Sequence, residues 1–459
     1  MNPESDSGVT SPFKYDAALK ILRTLRQRDY EALLAGGCVR DILLRRRPKD
    51  YDIVTNARPD EIKSLFERTI PVGEKFGVVC VVSAGVQFEV ATFRSEDGYE
   101  DGRHPTNVRY SGAREDALRR DFTINGMFLD PIEGSIIDYV GGQDDLKKKS
   151  IRAIGDPEQR FSEDYLRMLR AVRFATTLAF RIESFTMKAI QANAAKIMEI
   201  SAERIRDEIE KTLIAPKRKR GLELLEESGL MAHILPEVLA GKGVKQGRKL
   251  HPEGDVWEHT LLAMSLLDEP TFVMAMSVLL HDVGKPVTAA EGDAERPFAG
   301  HERVGEEISR TISERLKLSN KETEEIAFLV RHHMMLKDVA QMRKSTFKRL
   351  LAHEYFEELM ELHRIDAMAS NGDLANYNIA KEGKKRLSEE EIKPEPLVKG
   401  DDLAAIGIER GPMMGKILRQ LYTAQLDDEI KTREQALALA KKLQQAGAKN
   451  GESGTSNGG

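Results

Sequence analysis

Cysteine is scarce: two thiols, Cys38 and Cys80, occur in 459 residues, both in apolar surroundings. That excludes a disulfide framework and fits a reducing cytoplasm. Long apolar runs are missing too, and the N-terminus, MNPESDSGVT, is polar and acidic. Neither a membrane span nor a secretory signal is therefore expected. Net charge is equally small. With 70 basic against 75 acidic side chains the chain carries −5, so it is no general polyanion binder, and a nucleic-acid partner must be held by local patches. Arg45-Arg46-Arg47, Lys147-Lys148-Lys149 and Lys217-Arg218-Lys219-Arg220 are the candidates, although each run alone reads as a solvated surface.

What is present is material for cores. Hydrophobic residues make up 41%, and the length predicts about two to four domains. Residues 14–30 have helical periodicity. From 31 to 140, β-like runs (Val78–Val82, Gln87–Thr92, Ile136–Tyr139) mix with glycine turns and helical patches, predicting a small α/β unit. Inside it Arg94–Glu115, containing GYEDGRHPTNVRYSG, is long and polar and reads as a mobile functional loop. Beyond about residue 145 the pattern turns helical. The Gly/Lys segment 241–249 reads as a linker, and AGAKNGESGTSNGG as a flexible tail.

Two stretches suggest chemistry. Gly36-Gly37-Cys38-Val39-Arg40-Asp41 offers a glycine pair that lets backbone approach a phosphate, and Asp50-Tyr51-Asp52 follows. If Lys49–Thr55 is a strand, Asp50 and Asp52 point to one face while Tyr51 points away. Two converging carboxylates repel unless cations lie between them, and oxygen-only ligands favour Mg²⁺. Metal-dependent nucleotidyl transfer needs this combination. Downstream, Arg119 and Arg120 supply guanidinium forks suited to a triphosphate, while Asp121 and Asn125 suit a ribose hydroxyl.

In Glu163-Asp164-Tyr165-Leu166-Arg167-Met168-Leu169-Arg170-Ala171-Val172-Arg173-Phe174, a helix makes Asp164 and Arg167 neighbours, with Arg170 and Arg173 continuing the ridge. A carboxylate beside a guanidinium mirrors the edge of cytosine or adenine, whose exocyclic amine adjoins acceptors. Uracil and guanine put a carbonyl where the carboxylate sits and are rejected.

The glycine pair with VRD, the DxD, RRDFTIN, the EDxxRMLRAVRF segment and Ala202-Glu203-Arg204-Ile205 together resemble the ordered motifs of class II tRNA nucleotidyltransferases (CCA-adding enzymes) and bacterial poly(A) polymerases. The resemblance covers about residues 31–240. It implies a mixed α/β nucleotidyltransferase head of the DNA polymerase β superfamily, followed by a mostly α-helical neck, body and HD domain. Carried over, Asp50 and Asp52 hold two metals, and Gly36, Gly37 and Arg40 cradle the triphosphate with Arg120 and Arg119. Asp164 and Arg167 read the base, and Arg170 and Arg173 support the nucleotide. A third carboxylate is expected on a neighbouring strand, with Glu89 as candidate. Gly126, where relatives often have alanine, is expected to loosen the backbone. Family members that add the terminal A need a flexible head segment; Glu96–Arg114, with Asp97, Glu100, Asp101 and Arg103, matches it.

Histidines cluster at His251, His259, His281, His301, His332 and His333. His281-Asp282 ends an apolar run, and imidazole and carboxylate ligands from several helices suit a divalent transition metal. The arrangement resembles the HD phosphohydrolase superfamily, which implies His259, His281, Asp282 and Asp366 as ligands. His301 with His332 or His333 then suits a second metal or a phosphate. Such domains, fused to some bacterial CCA-adding enzymes, act on phosphate esters including 2′,3′-cyclic phosphates.

The expected divisions are a leading segment (1–30), head (31–145), neck (146–215), RNA-binding body and linker (216–250), HD domain (251–370), C-terminal helical region (371–445) and disordered tail (446–459). The expected activity is cytoplasmic addition of CCA from CTP and ATP to tRNA with Mg²⁺, with no membrane or identifiable protein partner. Poly(A) or A-only addition, and an HD phosphohydrolase whose head recruits RNA, are the alternatives.

Overall fold

In α1 (Ser11–Arg26) the buried residues Ala18, Ile21, Leu22 and Leu25 fall on one stripe of the helix. The computed structural model describes residues 11–70, 77–99, 105–247, 254–291 and 298–452. Glu100, Asp101, Arg103 and His251 lie outside them, as does the side chain of Asp97. The chain divides into two compact units, Met1–Leu239 with Arg315–Lys317 and Ala240–Glu314 with Leu318–Gly459.

In the first unit α1 leads to β1 (Ala32–Ala35), α2 (Gly37–Leu43), β2 (Asp52–Thr55), α3 (Pro59–Leu65), β3 (Thr69–Ile70), β4 (Val78–Ser83) and β5 (Val86–Thr92). Next come β6 (Arg94–Tyr99), β7 (Pro105–Tyr110), α4 (Ala113–Leu118), β8 (Met127–Asp130) and β9 (Ser135–Asp138). Seven strands form one mixed sheet in the order β3-β4-β5-β2-β1-β8-β9. Only β2 and β5 run parallel, with Ile53 opposite Val90; β1 and β2 are antiparallel, with Ala35 opposite Asp52. β1 is apolar and buried along its whole length because it lies mid-sheet. Phe93 and Phe128 meet edge to face on this core, their centroids 6.0 Å apart.

The structure corrects several expectations here. The strand begins at Asp52, not Lys49, because pairing with β1 and β5 starts there; Asp50 precedes it and its side chain is 82% exposed. The polar stretch from Arg94 contains the β6–β7 ribbon and α4 rather than one long loop. Two strands that pair only with each other need no apolar alternation, which hid them. Gly126 does not loosen its surroundings: a Cβ there would lie 2.8 Å from Val140 and 2.9 Å from Ile154. The final helix runs Arg433–Glu452, so the expected tail is helical as far as it is described.

Helices dominate the rest of this unit: α5 (Gly142–Lys148), the strand β10 (Ser150–Ile151), α6 (Pro157–Glu163), α7 (Leu166–Leu178), β11 (Arg181–Ile182), α8 (Ser184–Asn193), α9 (Ala202–Leu213), α10 (Arg218–Glu227), α11 (Met231–Ile234) and α12 (Pro236–Leu239). α7 packs on α9 and α10, burying Met168, Leu169, Val172 and Ala175 against Ile205, Ile209 and Leu213. Asp164 is not helical. It sits between α6 and α7 with φ −157° and ψ 103° and accepts a hydrogen bond from the Leu166 amide at 3.0 Å, capping α7.

In the second unit α13 (Val256–Ser265), α14 (Phe272–Leu280), α15 (Lys285–Glu291), α16 (His301–Arg315), α17 (Asn320–His332), α18 (Lys344–Leu351) and α19 (Phe356–Ala369) precede further helices. α14, FVMAMSVLL, is apolar all round and packs against α13, α17 and α19. Its C-terminal end thereby delivers His281 and Asp282 into the interior.

Candidate functional site

Two clusters of polar side chains stand out. The first surrounds a cavity of about 480 Å³ lined by residues of the head and of α7 and α9, among them Gly36, Arg40, Asp52, Arg120, Asp164 and Arg167. Gly36 enters α2 with φ 71°, and a Cβ there would lie 2.9 Å from Arg120 Nη1 and 3.7 Å from Asp52 Oδ2. Only glycine gives that backbone its left-handed turn and its approach to the cavity. Gly37 is an ordinary first helical residue.

Asp52 faces Glu89 across the β2–β5 pairing, and with Asp50 they line a second cavity of about 400 Å³. Burial, then the charges of Glu89 and Asp50, push the Asp52 carboxyl up, while Arg120 opposes them. Three acids gathered on one cavity form a donor set suited to a divalent cation. Asp50 reaches this group without the strand: Lys14 Nζ contacts Asp50 Oδ1 at 3.3 Å and donates to the Lys49 carbonyl at 2.9 Å. The Tyr15 ring lies 5.6 Å from that of Tyr51.

Arg119 and Arg120 both grip Asp116, which is fully buried; Nη2 of each lies 2.6 and 3.0 Å from its oxygens. Sequence reasoning missed Asp116, although its spacing three and four residues ahead of the arginines was a usable signal. Asp121 and Asn125, expected at a ribose, both line this cavity and are joined in a relay. Arg40 donates to Asn125 Oδ1 at 2.8 Å, Asn125 Nδ2 donates to Asp121 at 3.1 Å, and Arg170 donates to Asp121 at 2.6 and 2.9 Å. The relay joins the glycine turn to α7. Phe174 lines the same cavity, under the guanidiniums of Arg40, Arg170 and Arg173 at 5.3, 5.3 and 4.0 Å.

Burial alone would raise the Asp121 carboxyl, but Arg170 and Asn125 bring it down to about 2. An acid depressed on folding stabilises the fold above its ordinary range, and that contribution vanishes as pH falls through about 2. Asp121→Asn is therefore expected to cost about 2 kcal/mol at pH 7, from a shift of nearly two units. Denaturant midpoints at pH 7 and pH 3 check it; a deficit equally large at pH 3 sinks the assignment.

At the far end of the cavity the structure does not pair Asp164 with Arg167. Asp164 Oδ2 accepts from Arg204 Nη2 at 2.7 Å, while Arg167 Nη1 donates to Glu163 and, at 2.9 Å, to the Arg160 carbonyl. Arg160 itself holds the Leu118 and Arg119 carbonyls at 2.7 and 3.2 Å. Both Asp164 and Arg167 still line the cavity, joined by Arg204, Arg170 and Leu166. Arg173 does not line it; it pairs with buried Glu208 at 2.5 Å between α7 and α9.

The second cluster lies in the second unit. His259 and Asp366 approach to 3.3 Å, as do His281 and Asp282, and Asp282 turns its other oxygen to His301 at 3.5 Å and His333 at 3.7 Å. All six residues are at most 4% exposed. Each Nδ1 of His281, His301 and His333 lies 2.7 to 2.8 Å from a backbone carbonyl, which only accepts, so these nitrogens carry hydrogen and each neutral ring keeps a lone pair on Nε2. Yet His301 and His333 face each other Nε2 to Nε2 at 3.2 Å, as do His259 and His281. The facing lone pairs of His301 and His333 fit a metal ion, and the ring nitrogens of His259 and His281 meet at the same distance beside Asp282 and Asp366. His259, His281 and Asp282 make one such group and Asp282, His301 and His333 the other, sharing Asp282. His332, one of the two expected partners of His301, instead lies against Phe328, ring centroids 4.2 Å apart. Gly284 admits the turn after Asp282, since a Cβ would lie 2.1 Å from the His301 carbonyl. Lysines that sequence reasoning did not single out contact the two carboxylates: Lys285 lies 2.7 Å from Asp282 and Lys337 3.2 Å from Asp366.

Comparison with known proteins bears on both clusters. Residues 32–152 match the poly A polymerase head domain, 179–241 the probable RNA and SrmB-binding site of polymerase A, and 256–371 the HD domain. The CCA-adding enzyme of Lactobacillus gasseri is 41% identical over 273 residues, 57% of this chain and 67% of that protein. The chain belongs to the CCA-adding enzyme family. The Lactobacillus johnsonii CCA-adding enzyme is 42% identical over 264 residues and that of a Geobacillus strain 47% over 221; the chain spans 65% and 54% of their lengths. The Bacillus stearothermophilus CCA-adding enzyme in complex with CTP superposes with a TM-score of 0.69 at 29% identity, over 98% of this chain and 100% of that one. Nucleotidyltransferase and HD domains together imply dependence on divalent metal. Among the described residues no helix is long and apolar enough to cross a membrane.

Proposed function

We propose that the chain adds C, C and A to the 3′ end of tRNA from CTP and ATP, in the cytoplasm, with Mg²⁺ and without a nucleic-acid template. The observation that carries this reading is the single cavity with acids and arginines at one end and Asp164, Arg167 and Arg204 at the other. Related CCA-adding enzymes have been solved in complex with CTP, with ATP and, for Thermotoga maritima, with tRNA-CCA. Asp50, Asp52 and Glu89 would hold Mg²⁺, which would make the 3′-hydroxyl more acidic and neutralise charge on the leaving pyrophosphate. Gly36 leaves room for the phosphates, and Arg40 and Arg120 neutralise them from positions set by Asn125 and Asp116. Asp164 accepts from the exocyclic amine of C or A and Arg167 donates to the adjacent ring acceptor. Arg204 and Glu163 hold those two groups in place, and Arg170 braces the relay to the head. Arg173, which faces Glu208, acts as support for α7 and not as a nucleotide ligand.

Purified protein given tRNA ending before C, after CC, or complete, with each nucleotide separately, tests this reading. CTP is expected to extend only the first and ATP only the second. Run-on A tracts in place of a single A would overturn it in favour of poly(A) addition. Asp164→Ala is expected to lower CTP and ATP incorporation by about a hundredfold while UTP changes little, since the lost contact is a charge-assisted hydrogen bond pair. Equal losses for all four nucleotides would remove Asp164 from base selection.

The paired lone pairs around Asp282 favour a second reaction. There the HD centre, loaded with a divalent transition metal, hydrolyses phosphate esters, including 2′,3′-cyclic phosphates.

A further inference from the structure

Beside the HD centre lies a half-paired polar group. Gln246 is 8% exposed, its Oε1 lies 2.6 Å from Lys285 Nζ, and its Nε2 is buried without a hydrogen-bond partner among the described residues. Lys285 in turn holds Asp282 Oδ2 at 2.7 Å. An ammonium only donates, so the carboxamide must present its oxygen to Lys285. Its orientation is thus set, and both Nε2 hydrogens remain on the opposite edge. Buried amide donors are rarely left unpaired in folded proteins, and those that are call for a ligand or a water.

We propose that the Gln246 carboxamide is a positioning donor that holds a phosphoryl oxygen of the ester brought to the HD centre. This rests on the phosphohydrolase reading above. Phosphoryl oxygens only accept, which matches an edge that only donates. The donor is neutral, so it holds the phosphoryl group without adding a buried charge beside Lys285, which is already matched to a carboxylate. It stands one ammonium away from Asp282, the carboxylate common to both histidine groups. Phosphate monoesters and cyclic phosphodiesters share this chemistry.

The test uses the full chain loaded with Mn²⁺, as wild type, Gln246→Leu and Gln246→Glu. Metal content, inorganic phosphate binding by calorimetry, and kcat and KM for p-nitrophenyl phosphate and 2′,3′-cyclic AMP are measured. The glutamate keeps a partner for Lys285 but has no hydrogen to donate. Both variants are expected to retain the metal while phosphate Kd and KM rise about tenfold or more, the worth of one hydrogen bond to a charged acceptor, with kcat changing less. A rise confined to one ester identifies that class as the substrate. Unchanged Kd and KM in both variants would overturn the proposal and leave the amide to a water. Loss of metal in both would overturn it as well, making Gln246 a support of the ligands through Lys285. A wild type that binds no phosphate ends it outright. If wild type binds phosphate and the variants do not, but neither ester is hydrolysed, the hydrolase reading fails and the role of Gln246 stands.

Discussion

Asp52→Asn is expected to lower incorporation of both CTP and ATP into tRNA by about a thousandfold or more, because a metal-held charge supplies several kcal/mol of transition-state stabilisation. Among the described residues Asp52 is the one acid that borders both the cavity lined by Arg40 and Arg120 and the cavity it shares with Asp50 and Glu89. The amide keeps shape and volume, and it also removes a carboxylate whose ionised form is disfavoured by desolvation at the cavity wall and by Glu89, the residue itself remaining exposed. An acid raised on folding destabilises the fold only where it is ionised, above its ordinary range. The variant should therefore be at least as stable as wild type at pH 7 in metal-free buffer, and no different near pH 3. Thermal melts at the two pH values accompany the incorporation assay. Incorporation within tenfold of wild type would remove Asp52 from the reaction; inactivity with a lowered melting point at pH 7 would make its role structural.

Asp282→Asn has the second large effect expected. One carboxylate serves both histidine groups, so its loss should empty both and abolish hydrolysis of 2′,3′-cyclic AMP, a drop of about a thousandfold for a metal-activated water. Metal content by mass spectrometry is expected to fall from about two ions per chain towards none, since each three-residue group loses a ligand. Asparagine fills the same space beside buried Lys285, which limits the cost of leaving that ammonium without its carboxylate. CTP incorporation on the same preparation distinguishes an emptied site from an unfolded chain. Retention of both metals with full hydrolysis would sink the dinuclear reading.

Much of this was legible in the sequence because it is short-range. β4 and β5, the glycine turn, Asp52 and the His281-Asp282 pair each follow from a few neighbouring residues with the right spacing. Asp164 shows where such reasoning fails. A carboxylate before an apolar periodic run suits both a helix interior and a cap, and only the chain's turn after Glu163 chooses the cap. Arg173 fails for a geometric reason. Steps of three on a helix of about 3.6 residues per turn drift by about 60° each, so by its second step from Arg167 the ridge has left the cavity and met Glu208. Gln246, inside an expected linker, carried no local signal at all.

The sequence by itself determined which reagents are present: acids, glycines and arginines in the head, a carboxylate and guanidiniums at the start of α7, histidines and aspartates in the second unit. Tertiary structure decided the partners. Asp164 went to Arg204, Arg167 to Glu163, Arg170 to Asp121 and His301 to His333. Except for Arg167 and Glu163, one turn apart, these pairs are separated by 30 residues or more and meet only when sheet and helices pack. Spacing along a chain constrains which face a side chain takes, whereas its partner depends on which other face is buried against it.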